Sequence, residues 1–444
     1  MPIKFPGIFR GEFIKSTATL ISGYTIVQII AILIYFILSR IYTPEDFGLF
    51  GLYLSIVSIT GIISTGKYEM AIMLPKKDED AMNLLGLIGL ISLVFSTILL
   101  FPAVFLNVPI SNLLGNEKIS VWLYFVPLST LLVGMFQGMK VYSNRFKDYR
   151  NISAANIGQS LTNSAGKLAI GPLFPGPAGL VVGSILGQIT GAGIFIGRFL
   201  QRKKINPGQM NWERMKILSK EYHLFPKFNM LQSVINNFSG SLPIFVFSSY
   251  FTPAITGFFT MGYTIIYRPV NTLATSFYQV LAQRIIEKNN QGLRLYPDIK
   301  KFLYGLLKFV TIPFLLVALF APAIFRIALG NEWEEAGKYT QIIIPWFFAT
   351  CLAMPLSFIP DMFRQQKKAM ILDLIKFVLR GISMAIGVMK NDVYLGLMLF
   401  STTSTVMIMY SLLWYISIIR KSEKQRINLE GKSIEHGAWG IGND

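Results

Sequence analysis

Ser39-Arg40-Ile41-Tyr42-Thr43-Pro44-Glu45-Asp46-Phe47-Gly48 and Ser248-Ser249-Tyr250-Phe251-Thr252-Pro253-Ala254-Ile255-Thr256-Gly257 are two copies of one pattern, set 209 residues apart. Ser, Thr, Pro and Gly coincide, and Tyr42 is answered by Phe251. Further on, Pro102-Ala103-Val104-Phe105 resembles Pro322-Ala323-Ile324-Phe325. Leu114-Gly115-Asn116-Glu117 then recurs as Leu329-Gly330-Asn331-Glu332, at an offset of 215 that small loop insertions account for. Proline and glycine are common in loops, so one match alone means little. Matches in the same order, at equivalent places, point to an internal duplication.

What is duplicated is a set of membrane spans. The chain of 444 residues is 52% hydrophobic and only 14% charged, where a soluble domain carries about 25% charged residues. A soluble multidomain enzyme and a disordered chain are both excluded. Apolar runs long enough to cross a bilayer fall near 16–38, 47–66, 82–106, 121–141, 152–172, 177–199, 224–248, 254–280, 302–327, 340–360, 368–389 and 393–419. The first lacks the short core and small-residue cleavage site of a secretory signal. The expected fold is therefore all-α and polytopic, with twelve transmembrane helices in two pseudo-symmetric six-helix lobes. The N-terminal lobe covers 1–205; the C-terminal lobe covers 206–444 with a basic tail. Six spans per repeat give both halves the same orientation, so the pseudo-twofold axis runs along the membrane normal, as in transporters that rock one half against the other.

The net charge of +18 does not signal nucleic-acid binding, because the basic residues sit in short clusters between apolar runs. With the N-terminus inside, the inward segments hold 30 Lys and Arg and the outward loops hold 5. That split predicts both termini in the cytoplasm. The longest outward loops, about 107–120 and 328–339, leave no room for an external catalytic domain. The charged stretch 201–220 reads as a linker between the halves. Cys351 is the only cysteine, and His223 and His436 lie far apart, so no disulfide, metal centre or histidine-based catalytic cluster is expected. No glycine-rich phosphate cradle is present, so neither a cofactor nor ATP drive is expected.

Several spans carry polar stripes at helical spacing. Span five has Ser153, Asn156, Ser160, Asn163 and Lys167; span seven has Asn229, Ser233, Asn236 and Gly240, flanked by Gln232 and Asn237. Span eight has Arg268, Asn271, Thr272, Thr275 and Gln279, and span eleven has Asp373, Lys376, Arg380 and Ser383. Lipid cannot satisfy such groups, so these faces are expected to line water or helix contacts. A cation at mid-span costs about 3 kcal/mol even on insertion scales. Arg268, Lys376 and Arg380 sit well inside their spans, whereas Lys167 lies nearer the outer boundary. Lys227 admits two readings, cavity or snorkelling to the headgroups, and Lys308 reads as snorkelling. Lys167, Lys227, Arg268, Lys308, Lys376 and Arg380 lie in spans. The acids near spans, Glu69, Asp361 and Asp373, fall at span ends, and Asp373 is one turn from Lys376. The interior is thus expected to be positive and to attract anions, with Arg and Lys as phosphate ligands.

The stretch Arg40-Ile41-Tyr42-Thr43-Pro44-Glu45-Asp46-Phe47-Gly48 with Leu52-Tyr53 resembles the signature after span one of the polysaccharide (O-antigen type) flippases. These belong to the multidrug/oligosaccharidyl-lipid/polysaccharide exporter superfamily. Gly66, Glu69, Ala71, Ile72 and Pro75, then Gly176, Ala178 and Gly179, are similar too. The resemblance implies a MATE-like fold, a bacterial inner-membrane location and no enzymatic activity. It also implies transport of a polyprenyl-pyrophosphate-linked oligosaccharide, alongside membrane lipids, glycosyltransferases and a polysaccharide polymerase. Arg268, Lys376 and Arg380 would then meet pyrophosphate, the Asn and Ser stripes, with Asn163 and Asn236, would contact sugar, and Lys167 and Lys227 are further candidate substrate-binding residues. Lipid II flippases are relatives with extra C-terminal spans. Multidrug exporters of the superfamily are expected to couple to cations through buried acids, which are scarce here.

Overall fold

The computed structural model describes residues 33–201 and 210–438; the start of the first span, the 202–209 stretch and the last six residues lie outside them. Every regular element among the described residues is helical. The membrane helices are α1 (residues 33–41), α2 (Pro44–Thr65), α3 (Asp78–Phe105), α4 (Val126–Arg145), α5 (Tyr149–Ile170) and α6 (Ala178–Gln201). The second half has α7 (Leu231–Tyr250), α8 (Pro253–Asn290), α9 (Tyr296–Leu329), α10 (Glu334–Ala353), α11 (Gln366–Met389) and α12 (Val393–Ala438). The chain folds as the twelve-helix, two-lobe membrane protein expected from its repeat.

Among the described residues six helices are long and apolar enough to cross a membrane, or seven if the pair Glu117–Leu123 and Val126–Arg145, bent by 52°, forms one span. Pro127, at the start of α4, stands at that bend. Apart from α1, described only over residues 33–41, the helices that fall short of this measure are α5, α7, α8 and α11, the four that carry the polar stripes. Their polar residues lower the hydropathy, and they have protein neighbours to meet instead of lipid. Helix α5 packs along α6, α7 against α11, and α8 against α2.

Both copies of the repeated motif are helix starts. Thr43 caps α2: its hydroxyl accepts the Asp46 amide, the Asp46 carboxylate accepts the Thr43 amide at 2.9 Å, and Pro44 takes the first turn. Thr252 caps α8 by accepting the Ile255 amide, again with Pro253 in the first turn. One turn into each helix the motif glycines meet. A Cβ on Gly48 would lie 2.1 Å from the Pro253 carbonyl oxygen, and one on Gly257 would lie 1.7 Å from the Pro44 oxygen. Two equivalent positions of a duplicated sequence thus touch each other, which places the pseudo-twofold axis between Gly48 and Gly257.

The second repeated motif closes the same end. The Ser39 hydroxyl donates to the Leu329 carbonyl at 2.9 Å, and the Ser248 hydroxyl donates to the Leu114 carbonyl at 2.7 Å. These bonds are symmetry mates: each joins the motif of one lobe to the Leu-Gly-Asn-Glu segment of the other. Trp333, 1% exposed, adds a bond from its indole nitrogen to the Ser39 carbonyl, and it packs edge-on to Phe47 at 5.3 Å and Phe258 at 6.2 Å.

At the opposite end, part of the expected linker is ordered structure. Trp212–Glu221 is a helix capped by Asn211, and it buries Met215 and Leu218 among α3 residues including Leu84 and Ile88. Arg214 grips Asp80 through two hydrogen bonds, at 2.6 and 2.7 Å, and the Tyr68 hydroxyl donates to the Ser219 carbonyl. Charge alone suggested a linker; the two apolar residues three apart, with a cap before them, make a docked helix. The tail departs as well, since α12 runs on as helix to Ala438. The Glu423 carboxylate accepts the Leu295 and Tyr296 amides, tying the tail to the start of α9.

Candidate functional site

The inward faces of the four polar helices bring the expected cations into two groups. The first lies between the lobes, towards the motif end. Lys167 on α5 is 4% exposed, with its ammonium over the Phe50 ring of α2, 4.4 Å from the centroid. Room for it comes from α6: a Cβ on Gly183 would lie 2.6 Å from the Lys167 backbone nitrogen and 2.8 Å from its Cγ. Gly187, one turn on, gives the same clearance to Asn163, whose Cβ would stand 2.7 Å from it. The Lys167 carbonyl accepts the Tyr42 hydroxyl at 2.6 Å, which ties the residue to the motif end of the molecule, inside the protein. Arg268 on α8 is half-buried, its guanidinium 5.3 Å from the Tyr35 ring centroid of α1. Arg268 and Lys167 repel one another, and neither forms an ion pair among the described residues.

The second group belongs to the C-terminal lobe. Lys376 on α11 donates to Asp373 Oδ1 at 2.7 Å. The other carboxylate oxygen, Oδ2, accepts from Gln232 Nε2 and Asn236 Nδ2 of α7, both at 2.9 Å. One turn further along α11, Arg380 is 3% exposed. Its Nε donates to the Ser404 hydroxyl of α12 at 2.8 Å and its Nη1 to the Ser239 hydroxyl of α7 at 3.1 Å. Its guanidinium lies over the rings of Trp346 and Phe400, 4.8 Å from each centroid. Lys376 and Arg380 are therefore engaged separately, one by a carboxylate and one by hydroxyls and aromatic faces.

Lys227 stands apart from both groups. It is exposed on the π-helical turn Phe225–Met230 that leads into α7, over the Phe228 ring at 5.4 Å. Lys308 is exposed too, 4.6 Å from the Tyr304 ring. Between the groups, Ser58 of α2 donates to Asn237 Oδ1 of α7 at 2.9 Å, a polar contact between the lobes. Sequence reasoning missed Ser239, Ser404, Tyr35, Phe50, Trp346 and Phe400. The hydroxyl run Ser401-Thr402-Thr403-Ser404 in the last span was a usable signal for one of them; the aromatic partners had none.

The family described as "Polysaccharide biosynthesis protein" matches residues 37–338. The chain belongs to that family. No curated protein matches it in sequence. Its fold recurs in solved structures of low sequence identity. The lipid II flippase MurJ in an inward closed conformation is 12% identical with a TM-score of 0.68, covering 91% of this chain and 90% of that one. An inward-facing multidrug resistance MATE family transporter of the MOP superfamily is 14% identical with a TM-score of 0.63, over 90% of this chain and 96% of its own. The MATE multidrug transporter DinF-BH is 15% identical, with a TM-score of 0.63 over 91% and 95%. At such identities the likeness carries the fold.

Proposed function

We propose that the protein is a flippase that moves a polyprenyl-pyrophosphate-linked oligosaccharide across the bacterial cytoplasmic membrane for surface polysaccharide assembly, by alternating access through a cationic interior. Both termini are cytoplasmic in this reading, which places the interlocked motif end outside. The observation that carries it is the sign of the interior. Lys167, Arg268, Lys376 and Arg380 are gathered between the helices, and among the described residues Asp373 is the one carboxylate bonded to any of them. A positive interior suits an anionic headgroup and repels an organic cation. Arg268 and Lys376, half-buried, contact the pyrophosphate. Arg380 and Lys167, deeply buried, add to the field from fixed positions. Asn163 and Asn236 face the sugar side, and Lys227 meets the anion at the cytoplasmic mouth. Glycosyltransferases build the cargo and a polymerase consumes it outside. A cation-coupled drug exporter on the same fold would instead use Asp373 as its ion site.

The test compares export in cells lacking the protein and supplied with variants. Arg268→Ala and Lys376→Ala should abolish surface glycan while the protein stays in the membrane. Wild-type glycan from both variants, or loss of drug efflux without loss of glycan, would end this reading.

A further inference from the structure

Lys376 already holds an anion. Its ammonium donates to Asp373 Oδ1, three residues back on the same helix. Pairs at this spacing usually decorate a solvated helix face and contribute little. This one differs in what holds the carboxylate from the far side. Gln232 and Asn236, one turn apart on α7, both point an amide at Oδ2. Breaking most buried ion pairs leaves one charge without a partner, and that residual charge is what makes the loss expensive. Here the carboxylate keeps two amide donors if the lysine departs. The lysine is then the free partner: an ammonium on a flexible stem, with an 18% exposed side chain and two further N–H donors. Arg380 offers no such freedom, since its guanidinium is bonded to Ser239 and Ser404 and enclosed by Trp346 and Phe400.

We propose that Asp373 is a resident counter-anion for Lys376, which the anionic group of the substrate displaces, so that Lys376 passes from Asp373 to the substrate and back in each cycle. This rests on the reading of the cargo as a pyrophosphate. An ammonium left bare in the empty carrier would have to stay unpaired in the closed membrane interior while access switches from one side to the other. Asp373 neutralises it for that return step. Gln232 and Asn236 are positioning residues that hold the carboxylate ready while the lysine is away. The cost is weaker binding, because the substrate must compete with Asp373. Lys376 is accordingly a tunable ligand, and Asp373 sets how tightly it grips.

The test measures binding of farnesyl pyrophosphate to the full-length protein purified in detergent, by calorimetry, with size-exclusion profiles to confirm that each variant is folded. Asp373→Asn removes the competing charge and keeps the shape, so binding should tighten about tenfold, while net export in cells falls. Gln232→Ala should move affinity the other way, by about threefold, because Asp373 then depends more on the lysine. In a Lys376→Ala background the effect of Asp373→Asn should shrink to under about twofold. If Asp373→Asn leaves binding unchanged or weakens it while Lys376→Ala still weakens it, Asp373 is structural and the exchange is wrong, with the pyrophosphate reading intact. If Lys376→Ala binds as well as wild type, the cargo reading fails and the exchange fails with it. Should Asp373→Asn not fold, an unchanged or tightened affinity in Gln232→Ala overturns the proposal by itself.

Discussion

The two copies of the repeat have stayed alike at one end of the molecule and grown unlike in the middle. At the motif end the contacts that join the lobes come in matching pairs. Ser39 and Ser248 make matching bonds across the lobes, Gly48 touches Gly257, and Thr43 and Thr252 cap matching helices. In the interior the correspondence ends. The N-terminal lobe offers Lys167, deeply buried, with an aromatic face beneath it. The C-terminal lobe offers Asp373, Lys376 and Arg380 with amide and hydroxyl partners. The contrast teaches a division of labour. A seal between equivalent halves needs self-complementary surfaces, which duplication supplies at once. A site for one asymmetric substrate needs different groups on its different sides, and those arise only as the copies diverge.

Substitutions can break this contrast at several strengths. The most severe belong to the unlike region: Arg268→Ala or Lys376→Ala should reduce export by about two orders of magnitude or more, roughly 3 kcal/mol in transition-state terms, with the protein's thermal midpoint nearly unchanged. Next come the motif glycines. Gly48→Ala and Gly257→Ala each drive a Cβ into a backbone carbonyl, so each should destabilise the purified protein by about 1–3 kcal/mol or more, read as a lowered thermal midpoint. The two losses should match if the contact is truly shared. Gly240→Ala, where nothing lies within 4 Å, is the control and should stay within about 0.5 kcal/mol of wild type. Smaller still are Ser39→Ala and Ser248→Ala, about 1 kcal/mol each. A large loss at Ser39 with none at Ser248 would show the latch to be one-sided. Orientation is checked separately, on a Cys351→Ala background. Single cysteines near Arg202 and Arg420 should react with an impermeant thiol reagent only from the cytoplasmic side, and those near Asn116 and Asn331 only from outside.

The fold was legible in the sequence because its signals are local or periodic. The Thr-Pro caps, the offset of 209 and the stripes on α5, α7, α8 and α11 need no knowledge of what touches what. Contacts between distant segments were not legible. Nothing in the spacing says that Gly48 meets Gly257 and not lipid, or that the Arg380 guanidinium bonds hydroxyls contributed by α7 and α12. Counting charges gave a positive interior. The count did not show that Asp373, bridged by two α7 amides, already neutralises Lys376, because that balance depends on how α7 and α11 pack. The charged run after α6 hid a docked helix for a related reason: Met215 and Leu218 are only two apolar residues, and their value lies in the α3 surface they cover.

Carriage of an anion through a positive interior is tested most directly by membrane potential. An inside-negative potential favours outward movement of a pyrophosphate by about 2.3 kcal/mol per charge per 100 mV, roughly 4–5 kcal/mol for two charges. Proteoliposomes holding a polyprenyl-pyrophosphate sugar would be given a potassium-diffusion potential of either sign, without a proton or sodium gradient. Transfer should accelerate toward the positive side and slow when the sign is reversed. A rate that ignores the potential and follows a proton or sodium gradient instead would contradict anion carriage.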